Sequence, residues 1–429
     1  MHHALMIAYF YPPVDHTGTR RVTAFVRYLP MCGYQPVVLT TSTHGTLSDD
    51  AERMVYRAAN LTDLIRRPYS MLKLRRVQQE QRANAWLISP DNPLVRMQSA
   101  WFIPDTHITW YPLALRRARQ IVRQVPVQVL YSTSPPETNH MVALRLKQMT
   151  GLPWVADFRD GWLFEAPQPH HASSLWRWKL ETRLERMVVQ HADRIVTVND
   201  VIAGDFAHRY PERASDVVVI SNGYDPEAFA HVQRQATRGE RFRLVYTGAL
   251  GWGEQGRSIN GLLQALQALQ REQSPLMQHL DILLVGRVNS TEQSAIEQSG
   301  VGDTFTLTGL VPYQQALQHQ VDADVLLLVT GRSVKSVTTT KIFEYLAARR
   351  PILALTGPSA AADLLRETEA GIVIDPDDSA AIQATLKHLY ERWKNGTLRS
   401  EANDLVRQFD RSELTKRLAV LFDTLQKDP

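Results

Sequence analysis

The chain has 429 residues, of which 44% are hydrophobic and 21% charged, with a formal net charge of +4. This length exceeds the about 100 to 200 residues of a single domain, so two domains are expected, and the composition excludes a disordered chain. The lone cysteine, Cys32, excludes an internal disulfide, and no apolar run approaches the roughly 18 residues of a membrane-spanning helix.

No stretch combines the basic start, apolar core and small-residue cleavage site of a secretory leader, so the expected location is cytoplasmic. Zinc-ligand spacing, a basic tail and an aromatic RNA-binding signature are all missing from the sequence, so no nucleic-acid partner is expected.

In chain order, apolar runs at 4–9, 35–40, 127–132, 154–157, 194–198 and 217–221 read as short buried strands. Segments with apolar residues near a 3.6 spacing read as helices at 19–31, 112–123, 138–149 and 175–191. Residues 42–105 fit this alternation poorly and are expected to form an insertion of loops and short basic helices. Within it, Arg66, Arg67, Lys73, Arg75, Arg76 and Arg82 interleave with apolar residues, a composition that suits either an ordinary surface helix or peripheral contact with an anionic membrane.

The polar segment 229–241 marks a domain boundary near residue 235. A second series follows, with strands at 243–247, 281–285, 305–308, 325–329, 351–355 and 371–374. Helices are expected at 259–272, 291–299, 313–321, 340–348, 360–368 and 379–395. The expected fold is α/β, two doubly wound Rossmann-like domains facing across a cleft: residues 1–235, residues 236–411, and a final helix at 412–429 crossing back to the first domain.

Open parallel sheets bind ligands beyond the carboxyl ends of their strands, so candidate residues sit just after strands. Gly18 lies in the loop after the first strand, where it lets backbone approach a phosphate or sugar, or serves as a plain turn glycine. After the fourth strand of the series come Asp157, Arg159 and Asp160. Asp160 could orient substrate hydroxyls; alternatively Asp157 and Arg159 pair with each other to fix the loop. His140 is a further candidate, or a packed core histidine.

Several segments carry a resemblance in order along the chain: the loop 9–21, Gly33 to Thr40, Ser132-Thr133-Ser134-Pro135-Pro136, residues 151–162, Asn222-Gly223 with Asp225, Tyr246-Thr247-Gly248, and Lys341 to Ala348. Together they resemble bacterial glycosyltransferases of family four. The resemblance implies the GT-B fold and a nucleotide-sugar donor, taken to be a UDP-sugar, held mainly by the second domain. It also implies retention of anomeric configuration, no required cofactor or metal, and a glycan or lipid-linked acceptor in cell-surface polysaccharide synthesis at the inner face of the membrane. A non-catalytic GT-B subunit of a glycan assembly complex and a nucleotide-sugar epimerase are the alternatives.

The resemblance also assigns residues. Glu344 matches a glutamate that accepts hydrogen bonds from both ribose hydroxyls, a task that suits the paired oxygens of a carboxylate. Thr338, Thr339 and Thr340 approach a helix N-terminus, where they hold the diphosphate or cap the helix. Gly248 opens the glycine-spaced loop that ends at Arg257, near the position of a phosphate-binding cation; Lys341 and Arg287 are the other cations placed for phosphate or nucleotide. Departing from the family pattern, Ser336 stands eight positions before Glu344 where many relatives have a second glutamate, and Arg159 stands where a histidine is common.

Overall fold

Most strands carry apolar residues on both faces, which is the pattern of a parallel sheet covered by helices on either side. The computed structural model describes residues 1–14, 18–42, 49–50, 52–61, 102–164, 175–235, 241–251, 258–330, 335–336 and 338–427. The basic segment with Arg66, Arg67, Lys73, Arg75, Arg76 and Arg82, and the loop with Arg257, lie outside the described residues. The chain forms two compact units, Met1–Ser221 with Leu414–Pro429, and Asn222–Glu413.

In the first unit, strands β1 (His2–Ile7), β2 (Tyr34–Thr41), β3 (Val55–Ala58), β4 (Val127–Ser134), β5 (Trp154–Phe158), β6 (Arg194–Thr197) and β7 (Val217–Val219) form one sheet in the order β3-β2-β1-β4-β5-β6-β7. All of its pairings are parallel. Leu5, Ile7, Val37 and Leu39 turn to one face, while Ala4, Met6 and Val38 turn to the other. The helices are α1 (Thr19–Tyr28), α2 (Tyr111–Gln124), α3 (Thr138–Thr150), α4 (Leu175–His191) and α5 (Asp200–Arg209).

Two features of this unit differ from the sequence expectation. Val55–Ala58 is a four-residue edge strand paired with β2, inside the stretch read as an insertion. Val55-Tyr56-Arg57-Ala58 buries only its two ends and places Arg57 inside the strand, so no apolar run of the kind that marks the other short strands gives it away. Helix α5 was also not anticipated, although Asn199 caps it by accepting from the Ile202 N–H.

The second unit opens with α6 (Pro226–Ala230). Strands β8 (Phe242–Thr247), β9 (Leu280–Val285), β10 (Phe305–Gly309), β11 (Val325–Val329), β12 (Ile352–Leu355) and β13 (Gly371–Ile374) then pair in the order β10-β9-β8-β11-β12-β13. These pairings too are all parallel. Helices α7 (Asn260–Arg271), α8 (Leu276–His279), α9 (Ser290–Gln298), α10 (Tyr313–Asp322), α11 (Thr340–Ala348), α12 (Ala360–Glu367) and α13 (Ser379–Lys394) connect them. Leu244, Tyr246, Ile282 and Leu284 face one core, and Val245, Leu283 and Val285 the other.

Residues 222–235, expected to close the first domain, belong to this second unit. Tyr224 and Phe229 pack on its core, and Tyr224 exchanges backbone hydrogen bonds with Phe409 and Arg411 at 3.0 Å. The final helix, α14 (Arg411–Lys427), returns to the first unit from Leu414 onward. There Phe422 meets the Tyr34 ring edge-on at 5.3 Å, and the Tyr34 hydroxyl donates to Asp423 at 2.7 Å.

A buried ion pair ties the first unit together. The Arg21 guanidinium donates to both oxygens of Asp157, at 3.0 and 2.9 Å, and to the carbonyls of Ile220 and Ser221. Asp157 also accepts from the hydroxyls of Tyr131 at 2.5 Å and Thr133 at 2.8 Å. Burial alone would raise its carboxyl, but Arg21 and the two hydroxyls hold it below the usual range. Asp157→Asn leaves Arg21 buried without its countercharge and is expected to cost about 3 to 5 kcal/mol of stability, read as a lower urea midpoint; an unchanged midpoint would show the pair to be dispensable.

Candidate functional site

Both strand orders reverse beside the first strand of their sheet, at β1/β4 and at β8/β11. At such a switch point the loops that leave neighbouring strands turn to opposite faces and open a crevice at the carboxyl ends.

In the second unit the crevice is built from glycine. Gly248, directly after β8, has φ +116°, and Gly286, directly after β9, has φ +131°. The Gly248 N–H donates to the Val285 carbonyl at 2.7 Å, and the Gly286 N–H to the Gly309 carbonyl at 2.9 Å. A Cβ on Gly286 would stand 2.3 Å from the Gly248 carbonyl oxygen. One on Gly248 would stand 2.5 Å from Lys341 Cε and 2.7 Å from its Nζ, and at φ +116° any residue other than glycine is strained there.

The space kept open at Gly248 is therefore filled by Lys341. Its Nζ donates to the Tyr246 hydroxyl at 2.8 Å and stands 4.3 Å from the Tyr246 ring centroid. The hydroxyl in turn donates to the Ala249 carbonyl at 2.7 Å, which fixes the turn after β8. Lys341 is the second residue of α11, so a cation and a helix N-terminus coincide. Thr339 takes the N-cap position without making a cap bond, and its hydroxyl is buried with no hydrogen-bond partner among the described residues. Thr340 opens the helix, and Ser336 is buried upstream of it. Arg287 is exposed, its carbonyl accepting from the Leu250 N–H at 2.8 Å.

One turn further along α11, Glu344 is 6% exposed. The Tyr313 hydroxyl donates to its Oε1 at 3.1 Å, and Gln320 Nε2 donates to its Oε2 at 3.3 Å. Gln320 is itself held by Thr247 at 3.0 Å, and the Thr247 N–H donates to the Tyr345 hydroxyl at 2.9 Å. These partners hold the Glu344 carboxylate by both of its oxygens and so fix its orientation. Gly248 thus abuts Lys341, which follows Thr339 and Thr340 at the start of α11, and Glu344 is tied through Gln320 to Thr247 beside Gly248. Tyr246, Tyr313 and Gln320, which support them, were not anticipated because their partners are distant in sequence.

In the first unit, Gly18 is buried at the N-cap of α1 with φ −64° and ψ −16°. This is ordinary helical backbone, so the angle does not demand a glycine. Asp157 does not project outward and does not pair with Arg159, since Arg21 claims it in the core. Arg159 instead donates to the carbonyls of Ser134 and Pro135, joining the loops after β5 and β4. His140 is a packed core residue: it lies 4.5 Å from the Phe158 ring, its Nδ1 is bonded to Ser132 at 2.8 Å, and burial lowers its pKa to about 3.

Asp160 is exposed, yet the surrounding protein raises its carboxyl, with Arg159 opposing. Glu137, two residues after Ser134-Pro135, was missed by the sequence reading. Desolvation, reinforced by Asp105, Asp160 and Glu181, pushes its pKa up from 4.5 to about 8. No group of three or more metal-ligating side chains occurs among the described residues.

Residues 18–228 match the family model Glycosyltransferase Family 4, and residues 241–392 match the model Glycosyl transferases group 1. The chain belongs to the glycosyltransferases. No curated protein matches its sequence. Among solved structures, this glycosyltransferase is similar to sucrose-phosphate synthase from Thermosynechococcus elongatus, with a TM-score of 0.66, 15% identity and 100% of each chain covered. It is also similar to Anabaena HepE in complex with UDP, with a TM-score of 0.62, 14% identity, and 99% of this chain and 100% of that one covered. A UDP-N-acetylglucosamine 2-epimerase shares the fold as well, with a TM-score of 0.53, 12% identity, and 100% and 97% coverage. These likenesses establish the GT-B fold of the glycosyltransferase.

The Glu137 environment has a consequence for pH. Between its ordinary 4.5 and about 8 the folded chain holds a proton that the unfolded chain releases, so this group lowers stability as pH rises through that window. Glu137→Gln should therefore raise the melting temperature, with the gain larger at about pH 9 than at about pH 5. Melting curves that show an equal gain at both would place Glu137 in water instead.

Proposed function

We propose that this glycosyltransferase takes a sugar from a uridine diphosphate donor and transfers it, with retention of configuration, to a glycan or lipid-linked acceptor. The carrying observation is Glu344, a buried carboxylate oriented by Tyr313 and Gln320, one turn from the Lys341 ammonium at the start of α11. That arrangement suits a nucleoside diphosphate: a vicinal diol for the carboxylate, and a diphosphate for the cation and the helix N-terminus. The complex of the HepE neighbour with UDP supports uridine as the base.

Departure of the sugar leaves negative charge on the diphosphate, and Lys341, the free Thr339 hydroxyl and the α11 N–H groups are placed to stabilise it. Retention is supported by the family resemblance, in which the leaving phosphate accepts the acceptor's proton and no protein nucleophile is required. The acceptor is assigned to the first unit, with Asp160 as the hydroxyl-orienting carboxylate and Arg159 as its positioning residue. Arg257 and Arg287 are assigned as further phosphate or nucleotide contacts, and a polysaccharide role at the inner face of the membrane is part of the same reading. An epimerase reading, favoured by the likeness to the 2-epimerase, would convert the donor with no acceptor present.

Glu344→Ala should weaken UDP binding by more than about tenfold, as expected from losing charge-assisted hydrogen bonds. Calorimetric titration of parent and variant measures this; equal affinities would remove Glu344 from the site.

A further inference from the structure

Four strands form the edges of the two sheets, and β10 differs from the other three. It pairs with β9 alone, so among the described residues the backbone groups along its outer edge have no strand to meet. Thr306, Leu307, Thr308 and Gly309 are all exposed, Leu307 by 39%, and Leu310 beyond the strand is 68% exposed. By contrast β13 has one exposed residue, and β3 and β7 have none. Successive residues of a strand point to opposite faces, so β10 lies open on both, whereas a parallel strand is ordinarily covered on both.

An open edge usually carries charge, Lys above all, which keeps other strands away. Here that defence is missing, since no Asp, Glu, Lys or Arg lies between Asp303 and Asp322. The Thr306 hydroxyl turns back to Asp281 and the Thr308 hydroxyl to the Leu284 carbonyl, both on β9 and both at 3.4 Å. Asp281 is itself neutralised by Arg243 at 2.8 Å. The register slips between Leu307 and Gly309, so a bulge bends the end of the strand and leaves Phe305–Leu307 as its straight part.

We propose that β10 is a self-association edge: two copies of the chain pair their Phe305–Leu307 segments antiparallel about a two-fold axis, joining their six-stranded sheets into one. Charge selects this occupant. The chain carries +4, so two copies repel over most approaches and meet at least cost where no charge lies. A neutral strip is complementary to its own copy, because the axis sets each residue against an equally uncharged one. A charged peptide or headgroup would find no countercharge on it. Pairing β10 with β10 uses up both edges, so assembly stops at two copies. Neither Thr306 nor Leu307 is among the residues assigned to donor or acceptor.

The test is sedimentation velocity on the full chain, without nucleotide, so that its outcome is independent of the donor reading. Over concentrations from about 1 to about 100 µM, suited to a small interface, the parent should pass from monomer to dimer. Leu307→Lys sets two like charges face to face and should raise the dissociation constant by more than about tenfold, with the circular dichroism spectrum unchanged. Leu307→Glu should do the same. An equal mixture of these two variants should regain the dimer, because opposite charges then meet, a recovery that misfolding of either variant could not produce. A parent that stays monomeric throughout would overturn the proposal and leave the edge to a different protein. Assembly beyond two copies, undiminished dimerisation of both variants, or variants that dissociate and fail to recover on mixing would overturn it as well.

Discussion

The second unit depends on the missing side chains of Gly248 and Gly286. Parallel pairing brings the ends of β8 and β9 side by side, and the backbone then turns so closely that the Gly286 position touches the Gly248 carbonyl. Lys341 occupies what Gly248 leaves empty, and through the Tyr246 hydroxyl it reaches the turn after β8. Gly248 is held to glycine by its φ of +116° and Gly286 by the neighbouring Gly248 backbone, while Lys341 lies at the helix start because α11 follows β11 across the switch point.

The first unit solves a related problem with charge. Arg21, on the first turn of α1, reaches through the sheet end to Asp157 on β5 and to the chain leaving β7. A charge so deep is tolerated because each nitrogen of the guanidinium has an acceptor, with Tyr131 and Thr133 completing the carboxylate. The result holds the loops after β1, β4 and β5 in register with one another, and Arg159 adds a second link between the last two. Asp160 is left outward and exposed at the end of that rigid assembly.

Periodicity made most of this fold legible. Strands such as Val325–Val329, buried at every position, and helices such as Thr340–Ala348, with a mixed face, declare themselves through local pattern. What stayed hidden was mostly weak in pattern, short or distant in sequence. Val55–Ala58 buries only its two ends, and α6 and α8 are five and four residues long. Asp157 looked like a loop carboxylate because its partner Arg21 lies 136 residues away. Glu137 gave no signal beyond its place after Ser134-Pro135-Pro136, since its raised pKa comes from Asp105, Asp160 and Glu181 meeting it in space. Among the site residues, Glu344 and Lys341 were legible as a motif, whereas Tyr313 and Gln320, which aim the carboxylate, were not.

Glu344 and the start of α11 are proposed to grip the two ends of a nucleoside diphosphate, and a crystal structure of the full chain soaked with UDP shows whether they do. Ribose hydroxyls are expected within hydrogen-bond distance of both Glu344 oxygens, and phosphate oxygens at Lys341 and Thr339. UDP bound away from Glu344 and Lys341 would refute this reading of the site.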